Sequence, residues 1–301
     1  MTTNQGSGAG DYLVVGTDGS ASATNAVLWA AQEAARRAVR LRVVHGYVWS
    51  LVVPPLGGGG YLESGDGLRE AAERLLADAE AAAVRAVPDL EVETTIVEDT
   101  ATAALLRASA DAVMVVVGSR GLGGFSGLVV GSTAVQLTMY ATCPVVVVRD
   151  ATDRAPDAPV VVGVDGSDHA TRALGFAFEA AALRNAPLLA IHAWTEPVAT
   201  APGDMIPPVY DPELVHRQKA EFLNEQVSAW SAKYPDVAIT QQVIRGHPSA
   251  TLVEASKRAQ LLVVGARGVG GFRGLLFGSI SQAAIHHAHC PVAVIRVPKQ
   301  R

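Results

Sequence analysis

The sequence predicts an α/β protein built from two similar domains, each with a parallel sheet between layers of helices. A glycine pattern, Gly-x2-Gly-x9-Gly-Ser, begins at Gly118 and again at Gly265, 147 residues later. The same offset relates Asp18 to Asp165. In both copies, short runs rich in Val alternate with longer runs rich in Ala. Apolar runs without alternation indicate strands buried on both faces, and helices between such strands indicate a parallel sheet.

The first copy contains five runs that predict strands. These are Tyr12–Thr17, Leu41–Val48, Glu91–Val97, Val113–Val117 and Val145–Val148. The stretches between them predict helices, which are Ser20–Val39, Gly67–Val87, Thr102–Ala110 and a segment that follows Gly131. Ser20 is a suitable N-cap for the first helix, and Pro88 ends the second.

The second copy repeats this order. Its predicted strands are Val160–Val164, Leu188–Trp194, Val237–Ile244, Leu261–Val264 and Val292–Val297. Its predicted helices are Ala170–Arg184, Glu213–Lys233, Ala250–Arg258 and Ile280–His287. The domains are therefore predicted at 11–150 and 159–301, with a polar linker at 151–158. Long loops at 49–66 and 195–212 follow the second strand of each copy, and both a functional and a purely mobile interpretation stay open.

Composition narrows the class of protein. The chain has 49% hydrophobic and 18% charged residues and a net charge of −5, which argues against general nucleic-acid binding. No apolar run reaches the length of a membrane span, and residues 1–10 lack a signal pattern, so a cytoplasmic protein is expected. Cys143 and Cys290 each precede a proline, and we expect buried thiols and no disulfide.

The glycine pattern predicts an anion site. It follows a strand and leads into a helix, where free backbone N–H groups and closely approaching glycines favour anions. Gly118 and Gly121 would permit the turn, Gly131 and Ser132 would open the helix, and Arg120 would add positive charge. A turn without a ligand is the alternative, but its repetition at a fixed offset favours the binding site.

This pattern is neither a Walker loop nor a dinucleotide fingerprint. No Gly-x4-Gly-Lys-Ser/Thr string occurs, and the third glycine of Gly-x-Gly-x-x-Gly is replaced by Ser126 or Arg273. We find no Lys and no water-activating Glu or Gln near the loop in either copy. Phosphoryl transfer needs such groups. The site is therefore expected to hold a nucleotide rather than cleave it, and no catalytic residue is assigned.

Strand ends supply further candidates. Asp18 and Asp165 end the first strand of each copy, where a carboxylate can accept hydrogen bonds from a base or sugar or hold a divalent ion. A turn aspartate before glycine is the alternative. His45 and His192 end the second strand, and a structural role is favoured for both.

Two further features lead to different interpretations, one structural and one of ligand binding. His286, His287 and His289 form a cluster, but a helix C-terminus explains them better than a metal site, since the first copy lacks them. Gly46 and Ala193 follow the strand histidines, and their small size would leave room for a flat ring.

The first-strand aspartate, the glycine loop and the final Cys-Pro-Val strand resemble the ATP-binding branch of the universal stress protein family. The resemblance covers 11–150 and 158–298. It implies two Rossmann-like, adenine nucleotide alpha hydrolase-like domains, each with five parallel strands in the order 3-2-1-4-5. It also implies one ATP per domain with magnesium, a stress-induced cytoplasmic regulator, and at most slow hydrolysis.

The resemblance further implies two sets of binding residues. In the first domain they are Gly16, Asp18, Gly46, Gly118, Ser119, Arg120, Gly121, Gly131, Ser132 and Thr133. In the second they are Gly163, Asp165, Ala193, Gly265, Ala266, Arg267, Gly268, Gly278, Ser279 and Ile280. It also implies pairing of domains or of two chains through the last strand of each domain. A slow ATPase, and a scaffold that has lost nucleotide binding, are the alternatives.

The two copies also depart from each other. Gly246-His-Pro248 follows the third strand of the second copy, as in the family, whereas the first copy has Asp99-Thr-Ala101. Within the loop, Ser126 aligns with Arg273. We therefore hypothesise that the second site carries more positive charge and binds a triphosphate more tightly.

Overall fold

A computed structural model describes residues 12–48, 65–122, 130–149, 155, 157–195, 211–269 and 277–297. The chain divides into two compact units, Met1–Ala151 and Thr152–Arg301, called the first and second unit below. Most of the predicted loops 49–66 and 195–212, and both Ser126 and Arg273, lie outside the described residues. The expectations that depend on them stay predictions.

The first unit is a five-stranded parallel sheet with helices on both faces. Its strands are β1 (Tyr12–Gly16), β2 (Arg40–Tyr47), β3 (Val92–Glu98), β4 (Ala112–Gly118) and β5 (Val145–Val148). Its helices are α1 (Ala21–Arg37), α2 (Gly65–Ala86), α3 (Ala101–Ala108) and α4 (Ser132–Tyr140). The strand order is β3-β2-β1-β4-β5, and every neighbouring pair is parallel.

The second unit repeats this architecture. Its strands are β6 (Val160–Gly163), β7 (Leu188–Trp194), β8 (Ile239–Arg245), β9 (Leu261–Gly265) and β10 (Val292–Ile295). Its helices are α5 (Asp168–Arg184), α6 (Pro212–Lys233), α7 (Pro248–Ala255) and α8 (Ser279–His287). The order is β8-β7-β6-β9-β10, again parallel. Each helix begins and ends 147 residues after its counterpart. The predicted fold class is confirmed.

Burial follows the position of each strand in its sheet. The residues of β1, β5 and β10 are all buried, as their unbroken apolar sequences predict. The outer strands β3 and β8 leave about half of their residues exposed, and their sequences, unlike those of β1, β5 and β10, are not apolar throughout. In each sheet they have a strand neighbour on one side within their unit, and their sequences contain Thr, Glu and Gln accordingly.

Local signals explain where the helices start. The Ser20 hydroxyl accepts a hydrogen bond from the backbone N–H of Ala23 at 3.1 Å, which confirms the predicted N-cap of α1. Asp211 caps α6 in the same way, with Pro212 at the first helical position. Pro248 likewise begins α7, two residues before the predicted start, because proline is favoured at this position.

The layer of α1 contains a charged group that the second unit lacks. The carboxylate of Glu33 is fully buried and lies 2.7 Å from Nε of Arg37, whose side chain is 6% exposed. The aligned residue of the second unit is Ala180, and there Arg184 donates to the Ala180 carbonyl at 3.1 Å. A buried ion pair of this kind is costly to break because its remaining partner keeps an uncompensated charge.

Both cysteines are buried, as predicted. Burial raises the pKa of the Cys143 thiol to about 12. Among the helices that the structure describes, none combines the length and the apolar character that a bilayer crossing requires.

Candidate functional site

Each unit has a cavity at the carboxyl ends of its strands, beside the glycine loop. The cavity has a volume of about 450 Å³ in the first unit and about 730 Å³ in the second. Predicted residues that line the first are Gly16, Asp18, Gly46, Gly118, Arg120, Gly121, Gly131, Ser132 and Thr133. Those that line the second are Gly163, Asp165, Ala193, Gly265, Arg267, Gly268, Gly278, Ser279 and Ile280. Parallel sheets bind ligands at this edge.

The strand-one aspartate holds the start of the glycine loop. One carboxylate oxygen of Asp18 accepts a hydrogen bond from the Ser20 N–H at 3.0 Å, and the other accepts one from the Leu122 N–H at 2.7 Å. Asp165 repeats this arrangement with the N–H groups of Ser167 and Val269, at 3.0 and 3.1 Å. The carboxylate therefore positions the loop, in addition to facing the cavity.

The loop glycines are needed for close approach rather than for a special backbone angle. A Cβ atom on Gly121 would collide with the Asp18 carboxylate, and one on Gly118 would lie 2.7 Å from the backbone of Ser22. Among the described glycines, a positive φ occurs only at Gly19 and Gly166, at 80° and 82°, directly after each aspartate. Gly118 and Gly121 therefore allow the turn by leaving room for neighbouring groups.

The glycine loop is closed at its base. The Gly131 N–H donates to the Ser119 carbonyl at 2.8 Å, and the Gly278 N–H donates to the Ala266 carbonyl at 2.9 Å. Ser119 and Ala266 are buried and do not line the cavities, although both were predicted binding residues. Their place is at the neck of the loop, where their carbonyls fix its width.

An uncapped helix N-terminus opens onto each cavity. Gly131 and Gly278 are the N-caps of α4 and α8, and neither helix receives a side-chain capping bond. By contrast, hydroxyls of Ser20, Thr100 and Ser167 cap α1, α3 and α5. The N–H groups of the first turn of α4 and α8 are orphan donors with a favourable dipole for an anion.

The strand-two histidines are structural. Nδ1 of His45 donates to the Thr17 carbonyl at 2.8 Å, and Nδ1 of His192 donates to the Val164 carbonyl at the same distance. These bonds tie β2 and β7 to the residue before each aspartate. Burial lowers the pKa of His192, and the nearby ammonium of Lys219 lowers it further. The structural interpretation of both residues is confirmed.

Gly46 has a packing role that the sequence interpretation missed. A Cβ on Gly46 would lie 2.8 Å from Cα of Ala101, because the turn after β3 crosses directly over β2. In the second unit, Ala193 occupies this place, and a glycine, Gly246, stands in the turn instead. The two units therefore differ together at the second strand and at this turn: Gly46 accompanies Asp99-Thr-Ala101, and Ala193 accompanies Gly246-His-Pro248.

The second cavity also contains residues that sequence reasoning missed. Lys219 of α6 lines it, so the expectation of no lysine near either loop is wrong for this unit. Lys219 lies 46 residues before the loop in sequence, and only the antiparallel course of α6 over its sheet brings it to the carboxyl edge. His247, Pro248 and Ser249 line the same cavity from the start of α7.

The histidine cluster lies at the end of a helix. His286 and His287 end α8, as the helix-end interpretation predicts. Within the described ranges, no three His, Cys, Asp or Glu side chains are grouped as metal ligands would be. The cavities combine an uncapped helix, an arginine and glycines, an arrangement that can hold a polyanion beside a flat or apolar group.

Comparisons with known proteins agree with the repeated architecture. The sequence profile of the "Universal stress protein family" matches residues 11–149 and again 158–296. A universal stress protein of Mycobacterium tuberculosis is 38% identical over 291 residues, covering 94% of this chain and 96% of the relative. One from Mycolicibacterium smegmatis is 36% identical over 296 residues, covering 94% and 96%. The crystal structure of a universal stress protein from Archaeoglobus fulgidus, 19% identical, superposes with a TM-score of 0.69 over 95% of this chain and 98% of that one.

Proposed function

The chain belongs to the universal stress protein family, and we propose that each of its two units binds one ATP, with magnesium as the accompanying ion. ATP occupancy would then control the conformation of the chain or its choice of protein partner. The chain would act in the cytoplasm as a stress-response regulator that binds its nucleotide more than it consumes it.

One observation carries this proposal. Of the described helices that begin at the carboxyl edge, α4 and α8 have glycine N-caps without a capping side chain, and both open onto a cavity. A helix N-terminus left without a cap is destabilising unless water or a ligand satisfies its N–H groups. The same uncapped helix start occurs at two places 147 residues apart, which supports a ligand with phosphate groups at both.

The lining residues fit such a ligand. Arg120 and Arg267 supply a cation to each phosphate cradle, and Ser132 and Ser279 place a hydroxyl in the first turn of the helix. Nε of Arg267 is buried and has no hydrogen-bond partner within the described residues. A buried donor without a partner costs about 1–3 kcal/mol, which a phosphate oxygen would offset. The adenine would lie between the strand-one aspartate and Gly46 or Ala193.

The arrangement supports holding the nucleotide over cleaving it. Both carboxylate oxygens of Asp18 and Asp165 accept backbone hydrogen bonds that hold the loop, which gives these residues a positioning role. Among the described residues that line the two cavities, no second carboxylate stands beside either aspartate to activate a water. Slow hydrolysis stays the alternative, and its readout is turnover above background. We also propose pairing of domains, or of two chains, through β5 and β10, as in the family.

The test begins with protein purified without added nucleotide. The protein is denatured, and the released small molecules are identified and counted by chromatography and mass spectrometry. Close to two ATP per chain supports two tight sites. ADP in place of ATP would favour the hydrolytic alternative. No released nucleotide, together with no uptake of ATP and magnesium in equilibrium dialysis, would overturn the proposal and leave the fold and family.

A further inference from the structure

The two cavities share a frame but differ in charge. Both have an arginine after the fourth strand, an uncapped helix and a strand-one aspartate at matching positions. The second cavity adds Lys219, whereas the aligned residue in the first unit is Ala72, which is buried and does not line the cavity. The second cavity is also the larger, about 730 Å³ against about 450 Å³.

Lys219 is placed to meet a ligand. It lies one turn before Phe222 on α6, and Phe222 packs against Gly166, the residue that follows Asp165. Lys219 lines the second cavity, and its charge acts on His192, which is hydrogen-bonded to the residue before Asp165. Among the described residues, no carboxylate lies within ion-pair distance of Lys219. A lysine that lines a cavity without a protein partner offers a point charge to an anionic ligand.

Two more sequence differences distinguish the wall of the second cavity from the matching positions of the first unit. His247 and Ser249 line the second cavity where the first unit has Thr100 and Thr102. Thr100 is already used as the N-cap of α3. Thr102 donates to Thr133 at 3.1 Å, whereas the residue aligned with Thr133 in the second unit is Ile280, whose side chain has no acceptor for Ser249. The hydroxyls of Thr100 and Thr102 therefore take part in hydrogen bonds within the first unit, whereas His247 and Ser249 line the second cavity.

We propose that Lys219 makes the second cavity select its nucleotide by charge, so that it distinguishes ATP from AMP more strongly than the first cavity does. This inference rests on the proposed function and specifies it. The first cavity offers the phosphates one arginine and the start of α4. The second adds an ammonium that strengthens binding with each additional phosphate charge within its reach.

The test measures the affinities of the full chain for ATP and for AMP by equilibrium dialysis. Lys219→Ala removes the ammonium from α6. Lys233→Ala removes a lysine from the other end of the same helix and serves as the matched control. Arg120→Glu weakens the first cavity, so that the remaining binding is assigned to the second.

We expect Lys219→Ala to weaken ATP binding at the second cavity about tenfold while AMP binding there changes less than about twofold. Lys233→Ala should change neither affinity. Equal weakening of ATP and AMP, or no change in either, would overturn the inference while nucleotide binding itself stands. If wild-type protein binds no adenine nucleotide at either cavity, the proposed function fails and the inference fails with it.

Discussion

The carboxylate of Asp165 occupies the space where a side chain on Gly268 would begin, and Asp18 and Gly121 repeat this contact in the first unit. The two residues are 103 positions apart in both units. The contact joins the end of the first strand to the glycine loop, because the same carboxylate accepts the N–H of the next loop residue. An alanine in place of the glycine has to displace the aspartate.

Gly121→Ala and Gly268→Ala should therefore weaken both the fold and nucleotide binding. Displacement of the carboxylate breaks its hydrogen bond to the loop, and we expect a loss of about 1–2 kcal/mol in the free energy of unfolding. Gly67→Ala in α2 is the control, since a Cβ there meets nothing within 4 Å. Denaturant titration measures both, and equal effects of Gly67→Ala and Gly121→Ala would contradict the steric argument.

Asp18→Asn and Asp165→Asn should each remove binding at one cavity only. An asparagine has one accepting oxygen where the aspartate has two, so only one of the two backbone N–H groups keeps its acceptor and the other meets the amide NH2. If the wild type binds two ATP per chain, as proposed, each single variant should bind one tightly and the double variant none. Stoichiometry from equilibrium dialysis decides this. Loss of both sites in a single variant would show that the units do not bind independently.

Gly46→Ala and Ala193→Gly form a reciprocal pair. In the first unit, the added methyl group would lie 2.8 Å from the backbone of Ala101, and we expect a destabilisation of at least about 1 kcal/mol. In the second unit, removal of the methyl group creates no clash and should change stability by less than about 1 kcal/mol. Thermal unfolding compares the two variants, and a larger loss for Ala193→Gly would count against the crossing of the β3 turn over β2.

Glu33→Ala should be among the more destabilising single changes in α1. The second unit has alanine, Ala180, at the aligned position. In the first unit the change leaves the Arg37 guanidinium buried without the Glu33 carboxylate. We expect a loss of about 3 kcal/mol in the free energy of unfolding. Glu73→Ala, which breaks an exposed pair with Arg69, should have no measurable effect. Urea midpoints measure the difference.

Cys143 should make the protein less stable in alkali. Burial raises its pKa from the ordinary 9.0 to about 12, so the folded state keeps the thiol proton that the unfolded state loses near pH 9. Unfolding is therefore favoured as pH rises from 9 towards 12. The stability of Cys143→Ala should fall less over this range. Iodoacetamide at pH 8 should leave native Cys143 unmodified and alkylate it in denaturant; rapid native alkylation would exclude the buried thiol.

Much of the fold followed from local sequence. The all-Val run of β5 and the Ala-rich run of α1 specify their own structure. Ser20 marks a helix start, because its side chain accepts a hydrogen bond from the N–H of Ala23, three residues later. The exposed faces of β3 and β8 were not recognised as such, because neighbours in the sheet, and not the residues themselves, decide how much of a strand is covered.

Some residues of the candidate site could be predicted from the sequence, and others could not. The aspartates, glycines and arginines were found from sequence, since the 147-residue repetition marks them and their chemistry is local to one turn. Lys219 was missed, because its place at the cavity depends on the packing of a whole helix over its sheet. The reason for Gly46 and Gly121 was missed too, since each accommodates a group from a distant part of the chain.

The sequence by itself determined the duplication and the order of elements, and it predicted an anion site at the loops, because these depend on residue type and short spacings. Only the tertiary structure decided that Asp18 positions a loop residue 104 positions away, and that Lys219 lines one cavity while the described residues lining the other include no lysine. Such relations arise from long-range packing, in which a side chain's surroundings are set by strands and helices remote from it in sequence.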